Sequence, residues 1–78
     1  MSITLKDLKA LEQDINSIIE TEHLHVKVHK DYLGYGLLLK NKYYGSVVKD
    51  ITLGRFTKRE LYFNMNSFLK GLRYEVGV

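Results

Sequence analysis

The sequence predicts a small α+β domain of order α-β-β-β-α, with a three-stranded antiparallel sheet and both helices packed on one face. Three observations predict it. Near each end apolar residues recur at helical spacing, first Leu8, Leu11, Ile15 and Ile18, then Leu61, Met65, Phe68 and Leu72. Between them the period falls to two, as Leu24, Val26 and Val28 alternate with His23, His25, Lys27 and His29. The strand-like runs are joined by turns too short for a crossover, so neighbouring strands run antiparallel. Each helix then has one apolar stripe and each strand one apolar face. Stacking both helices on one side buries all of these together and leaves the other sheet face open.

The first helix is expected from residue 5 to about 21. Thr4 is its N-cap, Asp7 stands at the third helical position, and Ile3 can staple onto Leu8. Lys6, Lys9, Glu12, Gln13, Asn16 and Glu20 face away from the stripe. The first strand spans His23 to Lys30, and Asp31 to Gly36 reads as a turn because it holds two glycines. Leu37 to Lys40 is a central strand, Asn41-Lys42 a turn, and Tyr43 to Ile51 a third strand that Gly45 weakens or bulges. The second helix follows Gly54. Thr57 and Glu60 form a T-x-x-E capping box, and Phe56 and Leu61 flank it in staple positions. Gly71 marks its expected end, with Lys70 and Arg73 suited to the negative pole there, and residues 75–78 are expected to fray.

Composition bounds the function. The 78 residues include 12 Lys+Arg, 9 Asp+Glu, no Cys and no Pro, giving net charge +3. That is one domain, since a chain this short builds one core. Without Cys there is no disulfide, thiolate metal site or thiol nucleophile. No apolar run approaches a membrane span, and the N-terminus has no apolar core of a signal peptide, so a cytoplasmic location is expected. The mildly basic charge is compatible with nucleic acid or an acidic protein as partner.

The sharpest local feature is Gly54-Arg55-Phe56-Thr57-Lys58-Arg59-Glu60. Cations at a helix N-terminus oppose the dipole, and a stability-driven choice would place Asp or Glu there. Free N–H groups beside cations attract anions such as phosphate. Glu60, however, can satisfy the helix end itself and leave the cations as ordinary solvated charges. Lysines and tyrosines crowd the two turns as Lys30, Tyr32, Tyr35, Lys40, Lys42, Tyr43 and Tyr44. They could stack bases, anchor a protein interface, or simply form strand and core. His23, His25 and His29 share a strand face, but Lys27 stands among them and would repel a divalent cation, so no metal site is expected. No catalytic motif or paired carboxylate in an apolar setting is present, so neither an enzyme nor a cofactor is expected.

The element order, together with Thr57-Lys58-Arg59 opening the second helix, resembles double-stranded-RNA-binding domains, whose second helix begins with cations that grip phosphates. The chain departs from that family at Tyr62, where its third lysine would fall, at the bulky Phe63 and Met65, and in lacking its proline and Gly-x-Gly signals. The hairpin followed by Thr57-Lys58-Arg59-Glu60-Leu61-Tyr62 and then Phe68-Leu69-Lys70-Gly71 is similar to small proteins of phages and prophages of Gram-positive bacteria. That resemblance implies a DNA-binding accessory factor, a regulator, or an inhibitor of a host or defence protein in a bacterial cell.

Two functional expectations follow. The first is a non-enzymatic binding module that holds an anionic partner, nucleic acid above all, through Arg55, Lys58, Arg59, Lys40, Lys42 and Lys49. The second is a protein-binding inhibitor or regulator that uses the open sheet face and the Tyr-rich turns, through Tyr35, Tyr43, Tyr44, His25 and Lys27. An edge strand without Pro also allows a homodimer.

Overall fold

The computed structural model describes residues 2–19 and 23–77. Helix α1 (Leu5–Ile19) is followed by strands β1 (Leu24–Asp31), β2 (Gly34–Asn41) and β3 (Val47–Asp50), then by helix α2 (Lys58–Gly77). Both helix starts carry reciprocal caps. The Thr4 N–H donates to Asp7 Oδ2 at 2.9 Å while the Asp7 N–H donates to Thr4 Oγ1 at 3.3 Å. At α2 the Thr57 N–H donates to Glu60 Oε1 at 2.9 Å and the Glu60 N–H to Thr57 Oγ1 at 3.1 Å. Each box satisfies amides that have no partner within the helix.

The strands form one sheet in the order β1-β2-β3, antiparallel throughout. Leu8, Leu11 and Ile15 of α1, Val26, Val28 and Leu37 of the sheet, and Leu61, Met65 and Leu69 of α2 make a single buried cluster. The helices therefore share one sheet face, and each stripe buries against the other as well as against the strands. Ile3, Ile18, Phe56, Phe68 and Leu72 pack on its border. At about 25 cal/mol per Å² of apolar surface, this shared burial is the main force opposing chain entropy.

Several elements differ from their expected bounds. The glycines do not form the first turn. Tyr32 and Leu33 do, while Gly34 and Gly36 belong to β2. The Leu33 N–H donates to Asp31 Oδ1 at 2.9 Å, so an aspartate side chain folds the turn. Gly34 has φ +134 and a Cβ there would come 2.7 Å from the Phe56 carbonyl oxygen. That space is needed because Tyr35 and Phe56 exchange both backbone hydrogen bonds, each 2.8 Å. The third strand is only four residues long. Tyr43 and Tyr44 lie in the turn before it, folded by Asn41 Oδ1, which accepts both their N–H groups at 2.9 and 3.1 Å. The register slips between Leu39 and Lys40, which leaves Val48 as the extra residue. Finally, α2 continues through Gly71 to Gly77 instead of ending there. Gly71 is not in a left-handed conformation, so it does not form the stop that a C-terminal glycine makes. Lys70 and Arg73 accordingly lie inside the helix, not at its end. Glu20 and Thr21, expected in the first helix, fall outside the described residues, as does Val78.

Candidate functional site

Arg55 is placed quite differently from a phosphate ligand. Its Nε donates to Asp31 Oδ2 and its Nη1 to Asp50 Oδ2, both at 2.8 Å, and Nη1 also reaches the Gly54 carbonyl at 2.9 Å. The guanidinium lies over Gly36, where a Cβ would meet Nη1 at 2.7 Å. Gly36 is thus the cleared floor of a clasp joining the end of β1 to the end of β3. The guanidinium holds both carboxyls below their usual value. The Leu33 N–H reinforces this at Asp31, and the Thr52 hydroxyl does so at Asp50. Of the three cations in the anion reading, Arg55 is therefore met inside the molecule.

Lys58 and Arg59 are exposed at the start of α2. The amides beside them are taken by the capping box, and the Thr57 N–H bonded to Glu60 keeps that carboxyl below its ordinary value. Arg59 sits 5.7 Å from the centre of the Phe63 ring. The other expected cations do not join them. Phe56 pairs with Tyr35 near the start of β2, whereas Lys40 is close to its end. Five residues of strand at about 3.3 Å each separate the two positions by roughly 17 Å. Lys42 lies in the far turn, where its N–H donates to the His23 carbonyl. Lys49 pairs with Leu39, which packs on the core, so it points to the helix side of β3 while Lys40 points to the open side. The six cations do not form one surface.

The open face brings a different set together. His25, Lys40 and Val47 are cross-strand neighbours in one row spanning all three strands, and Lys27, Leu38 and Asp50 form the next. The Tyr43–Tyr44 turn closes this end of the sheet. Tyr43 is 68% exposed, Tyr44 85% and Val47 54%. The His23 ring stands 5.5 Å from that of Tyr43. Tyr35, expected on the same surface, instead packs on the core, with Lys30 Nζ 5.6 Å from its ring centre. Among the described residues no group of three His, Cys, Asp or Glu side chains could hold a metal ion. No described helix is long and apolar enough to cross a membrane.

No protein-family model matches the chain, and no curated protein and no solved structure matches it either. Sequence reasoning missed Asp31, Asp50, Glu12 and Asn16. The first two stand 24 and 5 positions from Arg55, and only the fold shows which carboxylates meet the cation. Asn16 and Glu12, expected to face away from the apolar stripe, seal the free edge of β1. Asn16 Oδ1 accepts the Val26 N–H at 2.7 Å, its Nδ2 donates to the Val26 carbonyl at 3.0 Å, and Glu12 Oε2 accepts the Val28 N–H at 2.6 Å.

Proposed function

We propose that the protein is a non-enzymatic binding module that docks an acidic protein surface on the open face of its sheet. His25, Lys27, Lys40, Val47 and the Tyr43–Tyr44 turn would make the contact. One observation carries this reading. His25, Lys27, Lys40 and the half-exposed Val47 share a sheet face that no helix covers, and two exposed tyrosines sit in the turn at its end. Tyrosine supplies large contact area at low entropy cost, and desolvated tyrosines are frequent anchors of protein interfaces. The lysines steer an acidic partner and fix its register. Against nucleic acid, the clasp neutralises Arg55, and the remaining cations are scattered, so few phosphates could be met at once. Occupying a partner's surface in this way suits a regulator or inhibitor carried by a phage or other mobile element.

The test is affinity capture from bacterial lysate with and without nuclease, comparing Lys27→Glu/Lys40→Glu with Lys58→Glu/Arg59→Glu. The reading expects a protein partner that survives nuclease, is lost with the first pair and is retained with the second. Nuclease-sensitive capture, or loss with the second pair alone, would return the site to the helix N-terminus and to nucleic acid.

A further inference from the structure

At the opposite end of the open face lies an open cleft of about 500 Å³ lined by Asp31, Leu33, Asp50, Leu53, Gly54 and Arg55. Two leucines form its lips. Leu33 is 67% exposed and Leu53 82%. Leu53 also has φ 56, a left-handed conformation that favours glycine or asparagine, and the Asp50 carboxylate holds it there by accepting its N–H at 3.2 Å. Glycine or asparagine would hold this conformation with less strain. The leucine accepts backbone strain and presents an apolar side chain to water.

Between the lips, two carboxylates face one guanidinium, which leaves one negative charge in excess on a protein of net charge +3. Asp31 Oδ1 accepts the Leu33 N–H, and Asp50 Oδ2 accepts Arg55. A carboxylate oxygen has two acceptor positions, so each has room for a further donor. His29 Nε2 lies 3.5 Å from Asp31 Oδ2.

We propose that this cleft is a subsite for a basic side chain, lysine or arginine, presented by a partner chain. The alkyl stem would lie between Leu33 and Leu53, and the cationic head would meet the outer oxygens of Asp31 and Asp50. The subsite is separate from the tyrosine turn, and neither requires the other.

The experiment is an NMR titration of the intact protein with N-acetyl-arginine methylamide, with the glutamate and norleucine analogues as controls. The expected result is saturable shifts of the Leu33 and Leu53 methyls, with the arginine probe binding about tenfold tighter than either control, a difference of 1.4 kcal/mol. Leu53→Gly should weaken the arginine probe about threefold while raising the melting temperature, because it removes both a lip and the strain. A Leu53→Gly protein that is more stable and binds the probe unchanged overturns the proposal. So does a glutamate probe that binds equally well, or an arginine probe that shifts no methyl.

Discussion

The two edges of the sheet are finished in opposite ways. On β1, α1 lays Asn16 and Glu12 along the strand and pairs the outward backbone groups of Val26 and Val28, which are 1% and 8% exposed. On β3, the valines of a four-residue strand are 54% and 55% exposed, and neither helix packs on them. The residue type and local propensity are the same, so the difference comes from what the rest of the chain brings to each strand. One edge is bonded into the fold by a helix. The other is kept short, bulged and charged with Lys49, which are the usual means of preventing edge-to-edge aggregation, and its residues remain free to serve a partner.

The largest effect should come from breaking the sealed edge. Asn16→Leu removes an acceptor and a donor together and leaves the Val26 N–H and carbonyl unpaired under a helix. A loss of about 3 kcal/mol is expected in urea unfolding. A loss below 1 kcal/mol would mean that water replaces the side chain and that the edge is not sealed by α1. Next comes Val26→Ala, which opens a cavity in the core cluster and should cost about 2 kcal/mol by the same measurement.

Arg55 ties the two edges together, since Asp31 belongs to β1 and Asp50 to β3. Both carboxyls are held below their usual 3.8, and Glu60 below 4.5. A lowered native pKa means the unfolded chain binds protons first on acidification. The stabilisation is therefore complete above those ordinary values and is lost as pH falls beneath them toward the native ones. Thermal melts of the wild type should hold steady from pH 7 to 5 and drop between pH 4 and 2. In Arg55→Met the two carboxylates face each other without the cation. That variant should melt lower at pH 7 and recover part of the difference by pH 4.5, the reverse slope. Parallel profiles for the two proteins would show that the clasp contributes nothing in water.

These residues also divide what the sequence made legible from what it did not. Thr4 with Asp7 and Thr57 with Glu60 could be read directly, because a capping box is closed within four residues and depends on no distant neighbour. The helical stripes and the alternation of β1 were legible for the same reason. Gly34 and Gly36 were misread because their role is clearance: one makes room for Phe56 and the other for Arg55, each about 20 positions away. Turns were expected at Asp31 and at Asn41, but not that these two side chains fold them, doing the work usually sought in glycine. The candidate site was only half legible. Its residue types stood out, but the grouping of His25 and Lys40 with Val47, and the separation of Arg55 from them, depends on register across three strands.

The smallest effect is expected at Val48, where the contrast between the edges is sharpest. Val48 is the bulged residue of β3 and more than half exposed, so Val48→Lys exchanges one solvated side chain for another and should change stability by less than about 0.5 kcal/mol. The same charge on a sealed strand would have to be buried. The measurement is the melting temperature at two protein concentrations tenfold or more apart, with light scattering on the same samples. If the free edge of β3 were covered by a second copy, wild-type stability would rise with concentration and Val48→Lys would abolish the rise. A melting temperature independent of concentration in both proteins, with a monomer mass, leaves the edge open to a different chain, the state in which its two valines and neighbouring tyrosines can be spent on recognition.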